Sequence, residues 1–156
     1  MDATMIFDCF LFFNEFDMLR LRLKELKDVV DIFVLVESRH TFSGQSKPLY
    51  FEHSAHEFKD YNIVRIKTDD LNDSNPWANE AFQRNAPMQY LKSAAKPTDI
   101  VLLCDLDEIP NPKVVSAFKD GELSAPAMLQ MDFYYYNFDW IKRVVGAGHP
   151  LSMRTS

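Results

Sequence analysis

The chain has 156 residues, the size of one domain, and a formal net charge of −6 at pH 7. An apolar share of 47% with only 4 glycines excludes disordered, collagen-like and low-complexity proteins. No long stretch gathers lysine and arginine, so we expect no nucleic-acid partner and no anionic-membrane surface. Cys9 and Cys104 each lie in an apolar run and are expected to be buried thiols rather than a disulfide.

The first apolar run, residues 5–13, predicts a buried strand. It is too short to cross a membrane, contains Asp8 and follows no basic residue, so we expect neither a membrane span nor a signal peptide. A cytoplasmic location is the expectation that follows. Asn14 is the predicted N-cap of the next helix, with Asp17 three positions on as its capping-box partner.

The helix after Asn14 is predicted from an apolar stripe of about three turns, formed by Phe16, Leu19, Leu23 and Leu26. Charged residues, including Arg22, fill most other positions. The later elements are predicted as a strand at 29–37, a loop at 38–49, a helix at 52–59, a strand at 61–68, a helix at 77–95, a strand at 99–104, a helix from Pro112 to about Lys119 and a strand at 127–136.

Three local signals refine these elements. Pro87 removes a backbone donor, so the helix at 77–95 should break near Asn85 or Ala86. Asn111 should cap the helix that starts at Pro112. The loop at 38–49, which contains His40, is long enough to suggest a function, and we place it near the ligand.

The alternation of strands and helices predicts an α/β fold with a mostly parallel sheet and helices on both faces. In open sheets of this kind, ligands bind outside the carboxyl ends of the strands. The loops after the second and fourth predicted strands lie at that edge. We see no internal repeat and no second domain.

Residues 105–108, here called the acidic turn, directly follow the strand at 99–104, the most apolar in the chain. In a nearly extended segment the carboxylates of Asp105 and Asp107 point to one side and Leu106 to the other. Together with Glu108 they are candidate ligands for Mg²⁺ or Mn²⁺, which takes one or two carboxylates plus phosphate oxygens. The alternative is that these acids are solvated and favour the positive end of the following helix.

Several ordered blocks of this sequence resemble glycosyltransferase family 17, over about residues 5 to 142. The blocks are residues 7–15, 36–44 with Lys47 and Pro48, 77–80 with 83–85, 105–110, and 134–138 with Trp140. Their shared order makes the match more specific than any single motif.

The resemblance implies a GT-A-like fold with a Rossmann-like nucleotide-binding half. It also implies a UDP-sugar donor, UDP-N-acetylglucosamine in the animal members, Mn²⁺ or Mg²⁺, a glycan or glycoprotein acceptor, and inversion at the anomeric carbon. Asp105 and Asp107 become the metal and donor acids, with Asp107 favoured as the direct ligand. Candidates for the donor pocket are Glu15, Glu37, Lys47, Glu80, Arg84 and Asp105. For the first five the alternative is an ordinary surface charge or ion pair.

The resemblance does not continue past about residue 143. We therefore expect residues 1–143 to be an incomplete glycosyltransferase domain and residues 144–156 a divergent tail. An inverting transfer needs a carboxylate that accepts the acceptor hydroxyl's proton. Neither Asp132 nor Asp139 has a pattern that assigns it this role, so the catalytic base is unknown.

Two other functions stay open on the sequence alone. A strand ending in Asp-x-Asp also occurs in haloacid-dehalogenase-like phosphatases, where the first aspartate is the nucleophile. Only about fifty residues follow the acidic turn, which is little room for the remaining phosphatase machinery. A binding module or remnant that keeps the fold without the chemistry is the second alternative.

Overall fold

The computed structural model describes residues 3–69 and 74–131, together with the backbone of three short strands further along the chain. Four parallel strands form the central sheet in the order β3-β2-β1-β4. They are β1 (Ile6–Leu11), β2 (Ile32–Ser38), β3 (Ile63–Thr68) and β4 (Ile100–Leu103). The predicted α/β class with a mostly parallel sheet is confirmed, and the fold is consistent with a GT-A-like domain.

Helices connect the strands, as the alternation predicts. They are α1 (Phe16–Leu26), α2 (Phe51–Ser54), α3 (Pro76–Asn85), α4 (Pro87–Ala94) and α5 (Pro112–Lys119), with a 3₁₀ turn at Ala55–Phe58 after α2. The break between α3 and α4 at Pro87 is confirmed. Asn111 caps α5 through its side chain, which accepts a hydrogen bond from the Lys113 amide at 2.9 Å.

The core lies on both faces of β1 and β2. On one face Ile6 and Phe10 pack with α1, the 3₁₀ turn and α5 in a single apolar cluster. On the other face Phe7 and Cys9 pack with Leu91 of α4. Because side chains alternate along a strand, these two neighbouring sets place helices on opposite faces of the sheet.

β4 is less buried than its composition suggests. It corresponds to the most apolar predicted strand, yet Val101 is 36% and Leu103 is 65% exposed. β4 pairs with β1 and is the last strand of the described sheet, so only its Leu102 side is packed into the core. The central strands β1 and β2 carry the deepest burial instead.

The start of α1 also differs from the prediction. The N-cap position is Glu15 rather than Asn14, and no side chain caps the helix. The Glu15 carboxylate turns back and accepts hydrogen bonds from the amides of Phe13 and Asn14, both at 3.0 Å. These bonds close the turn between β1 and α1 and keep the Glu15 carboxylate on the side of the turn that precedes the helix.

The predicted strand at 127–136 is replaced by two short ones, β5 (Met128–Gln130) and β6 (Phe133–Tyr134). β6 pairs with β7 (Ile141–Lys142), and β5 pairs with β8 (Ser152–Arg154). Asp132, Asp139, Trp140 and residues 135–138 lie outside the described residues. Within the described ranges, no helix combines the length and apolar character needed to cross a bilayer.

The core packing predicts a contrast between two leucines of α1. Leu23 is fully buried, whereas Leu21 is 46% exposed. Leu23→Ala should lower the free energy of unfolding by about 2–5 kcal/mol because it leaves a cavity, and Leu21→Ala by less than about 0.5 kcal/mol. Urea unfolding of the two variants measures the difference. Equal effects would contradict this placement of α1.

The two cysteines are free thiols, as predicted. Burial raises the pKa of Cys9 to about 12 and that of Cys104 to about 11. At pH 8 the Cys104 thiolate should therefore be about a hundredfold scarcer than that of an ordinary thiol.

A colorimetric disulfide reagent at pH 8 should accordingly react at least about a hundredfold more slowly with the native protein than with protein in urea. The single variants Cys9→Ala and Cys104→Ala assign any residual reaction to one thiol. Fast reaction of either thiol in the native protein would refute this account of their burial.

Candidate functional site

The site lies where the strand order reverses. β1 has β2 on one side and β4 on the other, so the connections leaving β1 and β4 diverge at their carboxyl ends. This divergence opens the crevice in which open α/β sheets bind ligands. A cavity of about 570 Å³ occupies it. Its walls come from the turn after β1, the loop after β2, α3 and the acidic turn after β4.

The acidic turn is a hydrogen-bonded turn and not the nearly extended segment expected. The Glu108 amide donates to the Asp105 carbonyl at 3.0 Å, and the Asp105 amide donates to the Glu108 carboxylate at 3.1 Å. Leu106 points into the core with 6% exposure, as predicted. Asp105 and Asp107 both line the cavity, so the two carboxylates are presented on the cavity side although the backbone is curled.

A buried arginine holds the inner side of this turn. Arg22 is fully buried, and its Nη1 donates to the carbonyls of Asp105, Leu106 and Glu108 at 2.8, 3.0 and 3.1 Å. Its Nη2 also lies 2.8 Å from the sulfur of Cys104. A single side chain of α1 therefore binds three backbone carbonyls of the acidic turn, which follows β4.

Asp8 of β1 supplies the counter-charge. Its two carboxylate oxygens accept from Nε and Nη2 of Arg22, both at 2.8 Å, and both side chains have zero exposure. Burial alone lowers the pKa of Arg22, but hydrogen bonding to Asp8 and its charge outweigh that effect and raise the pKa. The arginine therefore stays charged inside the core.

Sequence reasoning missed this pair. Arg22 was counted with the polar positions of its helix, although it lies beside Leu19, Leu23 and Leu26 on the apolar stripe. Asp8 was noted only as an interruption in an apolar strand. The sequence did contain a signal for this pair. Asp8 lies in an apolar strand and Arg22 lies on the apolar stripe of a helix, and two opposite charges at core positions indicate that the side chains pair.

Arg84 of α3 faces the acidic turn from the other side. Its Nη1 lies 2.8 Å from Asp105 Oδ1, and its Nε lies 2.9 Å from Glu80 Oε1. The hydrogen bond that Arg84 donates to the Asp105 carboxylate is the main cause that raises the pKa of Arg84. Glu80 is not among the cavity-lining residues, and its described contact is this ion pair.

The loop at 38–49 forms the opposite wall and is held in shape by α3. His40 bridges to Ser46, and Gly44 turns the chain with a φ of 81°. Asn79 donates to the Phe42 carbonyl at 2.9 Å, and Gln83 donates to the His40 carbonyl at 3.1 Å. Sequence reasoning did not single out these two buried amides of the 77–85 blocks.

Lys47, Glu15 and His40, which are candidates for the donor pocket, line the cavity. The Lys47 ammonium lies 4.8 Å from the centre of the Phe13 ring and 5.6 Å from that of Tyr50. It is buried and has no hydrogen-bond partner among the residues that the structure describes. Burial lowers the pKa of Lys47, and the charges of Glu37 and Glu15 partly oppose that shift.

Glu37 lies beneath the loop rather than in the cavity wall. It is fully buried, and its oxygens accept from the Phe51 amide at 3.1 Å and from Arg65 Nη2 at 2.8 Å. Glu108 likewise is not among the lining residues. The cavity thus brings together five of the eight predicted site residues, namely Glu15, Lys47, Arg84, Asp105 and Asp107.

Comparison with known proteins identifies the family of this chain. The model of glycosyltransferase family 17 matches residues 2–145. The chain is also similar to the human and rat proteins named beta-1,4-mannosyl-glycoprotein 4-beta-N-acetylglucosaminyltransferase, at 30% identity to each. Each alignment covers 81% of this chain and 26% of the relative, so the chain spans about a quarter of their length. Because the family model covers most of the sequence, this chain belongs to glycosyltransferase family 17 and not to the haloacid-dehalogenase-like phosphatases.

Proposed function

We propose that the cavity binds a nucleoside-diphosphate sugar, with UDP-N-acetylglucosamine as the donor. We propose further that the protein transfers this sugar to a glycan or glycoprotein acceptor with the help of a divalent ion. The relatives' names include N-acetylglucosaminyltransferase and a mannosyl-glycoprotein, which supports this choice of donor and acceptor. The observation that carries the proposal is that Asp105 and Asp107 line one cavity at the reversal point of the sheet.

The acidic turn fits Mn²⁺ or Mg²⁺ in its chemistry. These hard cations take oxygen ligands, and Mg²⁺ in particular uses one or two carboxylates plus substrate phosphates. Among the described residues, no group of three or more His, Cys, Asp or Glu side chains could hold a metal without help. A site of two aspartates completed by the donor diphosphate matches that composition. The ion supplies Lewis-acid neutralisation of the departing diphosphate.

In this proposal Asp107 is the direct metal ligand, because it is exposed at the tip of the turn. One carboxylate oxygen of Asp105 forms an ion pair with Arg84, so Asp105 connects the proposed metal site to the guanidinium group of Arg84. Arg84 is placed to bind a phosphate oxygen with its charge, since guanidinium groups suit phosphate geometry. Glu108 stabilises the turn through its bond to the Asp105 amide.

The wall opposite the acidic turn is proposed to bind the rest of the donor. Lys47 brings a positive charge that lacks a described hydrogen-bond partner. Phe13 and Phe42 are 38% and 37% exposed and present aromatic faces there. Glu15 supplies a carboxylate acceptor. Glu37 and Glu80 are assigned supporting roles, because their described contacts are with other protein groups.

The turn predicts a mutational contrast between two exposed aspartates. The protein should bind UDP in the presence of Mn²⁺ and lose that binding in excess chelator. Asp107→Ala should weaken Mn²⁺-dependent UDP binding at least about tenfold, which corresponds to about 1.4 kcal/mol. Asp120→Ala, at the exposed end of α5 and outside the cavity, should bind like the unaltered protein. Isothermal titration calorimetry measures all three affinities.

Equal UDP affinity in the Asp107 and Asp120 variants would remove the acidic turn from the proposed function. UDP binding without release of UDP from UDP-N-acetylglucosamine in the presence of mannosyl glycan acceptors would contradict the proposed transfer.

A further inference from the structure

We propose that Arg22 is a positioning residue for the donor site, acting on Asp105 and Asp107 through the backbone of the acidic turn. The inference rests on the proposed function of that turn. Arg22 does not line the cavity, so any effect on the ligand must pass through the residues it holds.

The guanidinium of Arg22 fixes the backbone geometry of the acidic turn. Three of the four carbonyl oxygens of the acidic turn lie within 3.1 Å of a single nitrogen, Arg22 Nη1. Because these three carbonyls bind the same buried nitrogen, the peptide planes between them have a fixed orientation. Asp105 and Asp107 line the cavity on the outer side of that backbone. The spacing of the two carboxylates is thereby set from inside the core.

Apart from Arg22, few contacts with the core fix the acidic turn in place. Asp107 and Glu108 are exposed, and Leu106 is the one turn residue buried in the core. Packing therefore anchors the turn at one side chain only. The remaining constraints are hydrogen bonds, and Arg22 supplies three of those described. Mutation of residues that orient metal ligands from the outer shell typically lowers metal affinity or activity roughly 10–100-fold.

The charge of Arg22 is compatible with a metal site because Asp8 balances it. A bare positive charge behind a metal site would repel the metal, but Arg22 forms a two-bond ion pair with Asp8 at 2.8 Å. The pair has no net charge, so it positions the turn without opposing a dication. A lysine keeps the charge but cannot replace the fork of donors, since it has three N–H groups on one nitrogen.

The test compares Arg22→Lys with Arg20→Lys, a matched change on the same helix at an exposed arginine that pairs with Asp17 and Glu57. Calorimetry measures UDP affinity in Mn²⁺. Hydrogen exchange measures protection of the Glu108 amide, which donates within the turn. Arg22→Lys should weaken UDP binding about tenfold or more and reduce Glu108 protection. Arg20→Lys should change affinity by less than about twofold.

The double variant Asp8→Val with Arg22→Met separates positioning from folding, because it replaces both buried charges with apolar side chains of similar total volume and leaves no unpaired polar group at either position. Replacing both partners of a buried pair is often neutral for stability. This variant should unfold at a temperature near that of the unaltered protein and still bind UDP about tenfold more weakly. Unchanged UDP affinity in either folded Arg22 variant, or failure of both to fold, would overturn the proposal.

The two proposals fail in different ways. If the unaltered protein does not bind UDP with Mn²⁺, the proposed function is wrong. In that case the hydrogen-exchange measurement alone tests whether Arg22 stabilises the acidic turn. Loss of Glu108 protection in Arg22→Lys supports that hold, and unchanged protection overturns it.

Discussion

The Asp8–Arg22 ion pair is the interaction on which the geometry of the site depends. Burying two charges is costly, and it is offset only when the geometry is good and the other hydrogen-bonding groups are satisfied. Here Asp8 takes two donors of Arg22, and the remaining contacts go to three carbonyls of the acidic turn and to Cys104. Loss of one partner of such a pair costs about 3–5 kcal/mol. The pair therefore locks β1, α1 and the acidic turn into one arrangement.

The sheet order then decides what meets the acidic turn. Because β4 lies next to β1 while β2 lies on the other side, loops from three different strands reach the same crevice. The loop after β2 has no regular structure of its own beyond the His40–Ser46 bridge. Asn79 and Gln83 of α3 donate hydrogen bonds to two carbonyls of this loop and so stabilise its shape. Binding groups on loops held by a rigid scaffold are the usual design of such sites. α3 thus contacts both walls of the cavity. Its Asn79 and Gln83 side chains bind the loop after β2, and its Arg84 pairs with Asp105.

The elements that local chemistry determines were predictable from the sequence. Pro87 breaks a helix and Asn111 caps one, as their local chemistry predicts, although the same cap signal failed at Asn14. The alternation of strands and helices predicted the parallel sheet. Features set by distant neighbours were missed. The exposure of Leu103 depends on which strand lies beside β4, and the burial of Arg22 depends on Asp8 being opposite it. The acidic turn and the family resemblance pointed to five residues of the cavity, but not to the Asp8–Arg22 pair, whose burial depends on contacts between distant elements.

The central claim is that the acidic turn presents Asp105 and Asp107 to a divalent ion and a nucleoside diphosphate. Anomalous diffraction from crystals soaked with Mn²⁺ and UDP tests it most directly. The account predicts a manganese peak within coordination distance of the Asp107 carboxylate, shared with the diphosphate, while the turn carbonyls stay on Arg22. UDP bound in the cavity without manganese at the turn, or manganese bound at another place, would contradict the account.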